Sequence, residues 1–280
     1  MDRQGSIFSE LGHGAQFKAF DMHNGRVLKI PLTEAETTRV AKQRRNIIHG
    51  TLEQIASIEV RVQTFMNSKA RLPSMITHPL DDPQPFLRLL GNPSLVPIDN
   101  ILPEDTPDKR WGAARFVYSQ DKVEIVRGLL EYLSTQETIT PADRRKFIRL
   151  INDYVQHVYG IWEYGYSDYI FKLGDMGVRA DGSLVTVDLG EFSSDPEFIE
   201  RAITEKWWYD NTNQLKNDFP KMHPELVGDY LHILDTSFTV DEFRKRWRKK
   251  HVCTACTPET NTISAFIATK VMEIDYVDRL

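Results

Sequence analysis

Two aspartates flank one short hairpin in the second half of this 280-residue chain. Residues 164–192 read YGYSDYIFKLGDMGVRADGSLVTVDLGEF. The pattern gives a helix end, a polar loop, a short strand, the turn Asp181-Gly182, an apolar strand, and then Asp188-Leu189-Gly190. Such a hairpin sets Asp175 and Asp188 side by side. Carboxylates so placed suit Mg²⁺ held against phosphate oxygens. Asp188 ends the apolar run 184–187 and precedes Gly190, a placement seldom used for a structural aspartate alone. Asp168 and Lys172 lie just upstream in the loop, where Asp168 also fits a turn or helix-cap role.

Other elements must present this hairpin. Residues 6–30 read as strands around the glycines of GHGAQF, with Asn24-Gly25 marking a two-residue hairpin turn and Pro31 closing the last strand. Residues 34–69 read as helix, with Leu52, Ile55, Val62 and Met66 forming an apolar stripe that also carries Glu59. A charge on a buried stripe needs a partner or an outlet to water. Strands are expected near 86–90 and 95–98, and a central strand over 111–118. Helices follow over 121–134 and 141–164, the second opened by Thr140-Pro141. Beyond Gly190 the chain reads as mainly helical. Strands first and helices later give an α+β fold with a small β-rich part and a larger helical part.

Composition narrows the function. The net charge of −5 argues against a dedicated nucleic-acid binder. No apolar run reaches the ~18 residues of a membrane span. Only Cys253 and Cys256 are present, so no disulfide framework is expected and the setting is expected to be cytoplasmic. With His251 they fall short of the four ligands of a structural zinc site. The basic run 244–250 sits at the end of a helix opened by Thr239-Val240-Asp241-Glu242, where cations complement the helix dipole.

The order of these motifs resembles the protein-kinase-like superfamily over about residues 6–200. Gly12-His13-Gly14-Ala15-Gln16-Phe17-Lys18-Ala19 resembles the glycine-rich loop G-x-G-x-x-G-x-V, with Phe17 at the third glycine and Ala19 at the valine. Val27-Leu28-Lys29-Ile30 resembles V-A-I-K with the lysine one residue early. Asp188-Leu189-Gly190 resembles D-F-G. The resemblance implies a two-lobed fold, with a small β-rich N-lobe over 1–118 and a helical C-lobe over 119–280. It implies ATP and Mg²⁺ in the cleft: Gly12 and Gly14 over the phosphates, Lys29 neutralising them, Glu59 (or Glu53) orienting Lys29, and a hinge at 118–121 that brings Tyr118 to the nucleotide. Asp188 and Asp175 would bind the metal.

Set against the catalytic-loop pattern H-R-D-L-K-P-E-N, Asp175 takes the asparagine position and Lys172 the lysine. Ile170 takes the catalytic aspartate position and Asp168 the histidine. Isoleucine accepts no proton, so either Asp168 assumes that role or the role is lost. Asp195-Pro196-Glu197 follows Asp188 almost at once, which leaves no room for a peptide-binding segment of the usual kind. The expected function is phosphoryl transfer to an unidentified hydroxyl acceptor, small molecule or protein. The alternative is a pseudokinase that serves as a binding or scaffold module. A third possibility transfers the nucleotidyl group.

Overall fold

The computed structural model of the chain describes residues 9–13, 17–31, 84–97, 116–168, 171–189, 192–209 and 221–249. Gly14, Glu53, Glu59, Ile170, Cys253, Cys256 and the tail 261–280 lie outside the described residues. The fold is α+β. Its larger sheet is antiparallel and five-stranded, ordered β1-β2-β3-β5-β4. The strands are β1 Ser9–His13, β2 Phe17–Asp21, β3 Arg26–Pro31, β4 Ser94–Pro97 and β5 Phe116–Asp121.

Several sequence expectations change here. The hairpin between β2 and β3 turns through His23, Asn24 and Gly25, closed by the Met22 amide donating to the Arg26 carbonyl at 3.0 Å. Positive φ falls on His23 and Gly25, not on Asn24, because the Asp21 carboxylate accepts the His23 amide and folds the chain locally. Residues 86–90, expected as a strand, belong instead to helix α1, Gln84–Leu89, and the turn after it. Phe86 and Leu90, four apart, bury one helical face, and this face decides the matter over β-propensity. The helix expected from 121 begins later. β5 runs through Asp121, β6 covers Glu124–Ile125, and α2 covers Val126–Thr135. Residues 118–121 are therefore strand, and Lys122-Val123 connects the larger sheet to β6.

Helix α3, Pro141–Trp162, forms as read. Thr140 Oγ1 accepts the Asp143 amide at 3.1 Å and proline takes the first turn. Its end is a Schellman arrangement: Gly165 N–H donates to the Trp162 carbonyl and Tyr166 N–H to the Ile161 carbonyl. The described residues further include β7 Ser167–Asp168, β8 Met176–Val178, β9 Leu184–Thr186, β10 Phe192–Ser193, α4 Pro196–Thr204, α5 Pro224–Ser237 and α6 Val240–Arg246. β7 pairs with β10, and β6-β8-β9 form a small antiparallel sheet. Asp195 caps α4, and Thr239 caps α6 as its sequence predicts. No helix among the described residues is long and apolar enough to cross a membrane.

Two buried clusters hold these parts. The larger joins α3 (Phe147, Ile151, Trp162) to α5 (Leu226, Tyr230, Leu234) around Phe171 and Trp208. The smaller joins the five-stranded sheet to the hairpin region through Phe86, Leu90, Tyr118, Tyr164, Leu189 and Phe192. Polar ties reinforce the second junction. Asp121 accepts from Arg26 at 2.8 Å, from Asn92 at 2.6 Å and from Arg179 at 3.2 Å, linking β3, the turn before β4 and the β8–β9 hairpin. Gln120, buried, donates to the Leu90 and Thr186 carbonyls.

Gly177 is where β8 passes the Lys122-Val123 connection. A Cβ there would lie 2.2 Å from Val123 Cγ2 and 3.0 Å from Val187 Cγ1. Gly177→Ala is expected to lower unfolding free energy by ~1–3 kcal/mol, the usual cost of overpacking, read as a lower urea midpoint at unchanged slope. An unchanged midpoint would mean that this contact is not tight.

Candidate active site

The β8–β9 hairpin turns through Ala180, Asp181 and Gly182. Arg179 N–H donates to the Ser183 carbonyl at 2.9 Å, and Gly182 holds φ +82°, the left-handed residue that ends a three-residue hairpin loop. The Asp181 carboxylate accepts the Ser183 amide and hydroxyl, and these bonds hold its pKa down at about 2. The ladder pairs Met176 with Thr186 and continues with the Val187 amide donating to the Asp175 carbonyl at 2.9 Å. Asp175 thus lies across from Val187, one residue from Asp188. The hairpin brings Asp188 near enough for its charge to act on Asp175.

Lys29 reaches this point from the other sheet. In β3 it sits between Ala19 and Tyr118. Its ammonium donates to the Val187 carbonyl at 2.8 Å. Burial pulls its pKa down, and the charges of Asp188 and Asp175 pull it back up. A lysine, two carboxylates and a main-chain carbonyl from distant parts of the sequence therefore meet in one place. Tyr118, opposite Lys29 on β5, is 1% exposed and packs in the smaller cluster. Its hydroxyl faces the Leu189 main chain, where burial first and then the Asp188 charge drive its pKa well above 10. Tyr118 thus sits within strand β5.

Asp175 occupies a single 3₁₀ turn, Leu173–Asp175. Lys172 Nζ lies 3.1 Å from its Oδ1. Burial nevertheless raises the Asp175 pKa to about 6; Asp188 adds to the rise, while Lys172 and Lys29 oppose it. The loop that delivers this turn contains a strained residue. Phe171 is fully buried with φ +53°, a region unfavourable for a bulky side chain. Its ring packs against Phe238 at 5.0 Å and Trp208 at 5.7 Å, and its carbonyl accepts from the Tyr230 hydroxyl at 3.2 Å. These contacts fix the path from Phe171 to the Asp175 turn.

Asp168 lies in β7 opposite Phe192. The Tyr154 and Tyr230 hydroxyls feel both the Asp168 and Asp175 charges, so the two carboxylates lie near the same pair of phenols. Gly12 lies in β1 opposite Ala19, after a bulge that takes in Leu11. It thus belongs to the hairpin whose β2 strand pairs with the Lys29 strand. Among the described residues no group of three or more His, Cys, Asp and Glu side chains is placed to hold a metal.

Sequence reasoning missed His157. It is 6% exposed on α3, its Nε2 is 2.9 Å from the Thr186 hydroxyl, and its ring also donates to the Leu184 carbonyl. Burial first, then Arg179, lowers its pKa to about 3, so it is neutral in the fold. The helical spacing from Tyr154 and to Ile161 was the available signal.

The Asp175 shift carries a pH signature. Its folded pKa lies above the ordinary 3.8, so the folded state favours the protonated form. Its contribution to stability is full below about pH 3.8 and is lost as pH rises through about 6. Asp175→Asn removes this loss. The variant should gain ~2–3 kcal/mol on the wild type between pH 4 and pH 7.5 in urea unfolding. Parallel stability curves would contradict the burial assigned to this carboxylate.

The chain matches no protein-family model and no curated protein. Its chemistry is therefore read from the convergence of Lys29, Asp175 and Asp188.

Proposed function

We propose that this chain is a divergent kinase-like phosphotransferase that uses ATP and Mg²⁺ to phosphorylate a hydroxyl acceptor. On this reading residues 1–118 form a β-rich N-lobe, with β5 running on to Asp121, and 119–280 a helical C-lobe, in a cytoplasmic setting. One observation carries it: Lys29 of the glycine-hairpin sheet donates to the Val187 carbonyl beside Asp188, with Asp175 across the ladder. A cation-binding pair plus one lysine is the donor set that a metal–triphosphate needs. Two carboxylates do not complete six-coordination, which leaves positions for phosphate oxygens and water, the usual pattern for Mg²⁺.

Bound Mg·ATP would supply the phosphoryl group and neutralise charge as it transfers. Lys29 would turn its remaining N–H bonds to phosphate oxygens while still held by Val187. Asp188 and Asp175 would hold the metal. Main-chain amides around Gly12 and Gly14 would cover the phosphates. Glu59, on the expected helix, would orient Lys29. Asp168 would accept the acceptor's proton in place of Ile170, and Lys172 would counter the charge of Asp175. The acceptor is a small molecule or a protein; nucleic acid is not expected.

Ile170, at the register of the proton acceptor, favours a second reading: a pseudokinase that holds nucleotide without transferring it. Incubation with γ-labelled ATP separates the two. The first reading expects Mg²⁺-dependent ADP release that Asp188→Ala abolishes and Asp168→Asn slows by ~10²-fold or more. Full release in Asp188→Ala would sink the transfer reading. Nucleotide binding without release would support the pseudokinase. A nucleotide adduct by mass spectrometry would indicate nucleotidyl transfer.

A further inference from the structure

Beneath the loop that carries Asp168 lies a cavity of about 10 Å³, lined by Tyr154, His157, Ser167, Asp168, Met176 and Thr186 among others. That is close to the minimum, about one probe sphere, needed to hold a single water molecule. The Tyr154 side chain is 1% exposed, and its hydroxyl meets no hydrogen-bond partner among the described residues. A buried hydroxyl left in that condition costs ~1–3 kcal/mol, so native structures nearly always satisfy it, often with water.

The other polar groups around the cavity are largely committed. The Ser167 hydroxyl accepts from Trp162 Nε1 at 2.9 Å and donates to the Asp168 carbonyl at 3.0 Å. His157 uses its nitrogens on Thr186 and Leu184, so the Thr186 hydroxyl donates to Nε2 and keeps its own acceptor capacity. Three groups can therefore complete the shell of one water: the Tyr154 hydroxyl, the Asp168 carboxylate and the Thr186 oxygen. Tyr154 and Asp168 both line this space.

We propose that Tyr154 is a positioning residue for Asp168, acting through one water molecule lodged in the cavity between them. Tyr154 comes from the long α3 helix, and Asp168 from a two-residue strand at the start of the Phe171 loop. The bridge ties the orientation of the loop carboxylate to the helix. The proposal rests on the reading in which Asp168 serves as the proton acceptor.

The test has two arms. In a crystal structure of the wild-type chain that resolves ordered water, one water should bond both Tyr154 Oη and Asp168; a dry cavity overturns the proposal whatever the enzyme does. In solution, ATP turnover to ADP is followed with water as the acceptor. Tyr154→Phe should lower kcat about ten- to hundredfold with an unchanged KM for ATP, as expected for a displaced catalytic group. In an Asp168→Asn background the same substitution should cost nothing further, because the two residues act as a unit. Unchanged kcat, an equal loss in the Asp168→Asn background, or a parallel rise in KM with a lower melting midpoint would each overturn it. No ADP release by the wild type would defeat the transfer reading instead, and the crystallographic arm would still decide the bridge.

Discussion

A lysine ammonium partly withdrawn from water must be met by oxygen atoms, and Lys29 is met by groups remote from it in sequence. Its ammonium donates a hydrogen bond to the Val187 carbonyl, and the Asp188 and Asp175 charges offset the cost of its burial. This constraint couples the five-stranded sheet to the β8–β9 hairpin. β3 must place Lys29 over the end of β9, and β9 must end with its carbonyl pointing back. Loss of either position would leave a buried charge unmet. The same demand explains why the smaller core, with Tyr118 and Leu189, is packed directly behind the lysine.

The ties around this junction are of several kinds. Asp121 gathers Arg26, Asn92 and Arg179, so three segments share one carboxylate at the end of β5. Gln120 adds bonds to the main chain of α1's last turn and of β9. Gly177 removes the side chain that would keep β8 from the connecting segment. On the far side, Phe171 accepts an unfavourable backbone conformation because its ring is held in an aromatic cluster. Strain at Phe171 is retained just before the turn that carries Asp175.

Much of the site was legible because it is local in sequence. The Asp181-Gly182 turn and the apolar run 184–187 are enough to bring Asp175 beside Asp188. Thr140-Pro141 and Thr239 announce their helices through caps that depend on neighbouring residues only. Lys29 was legible as a candidate but not as a buried one, since its burial depends on Val187, which no short motif links to it. The short segment at Phe86 misled because two apolar residues four apart fit a helix as well as a strand, and tertiary burial chose the helix. Residues 118–121 were expected as a hinge only through the resemblance to the kinase-like superfamily. In the fold, Ser119 and Gln120 are buried within the strand by bonds to distant groups. His157 and Asp121 escaped notice for the same reason: their partners are set by topology.

Calorimetric titration of ATP into the wild type and into Lys29→Ala, each with and without Mg²⁺, is the sharpest test of a nucleotide–metal site at Lys29. Saturable one-to-one binding that requires Mg²⁺, and that is lost or strongly weakened in the variant, is the expected result. Equal binding by both proteins, or no binding by the wild type with ATP in clear excess, would contradict the claim that Lys29, Asp175 and Asp188 form a nucleotide–metal site.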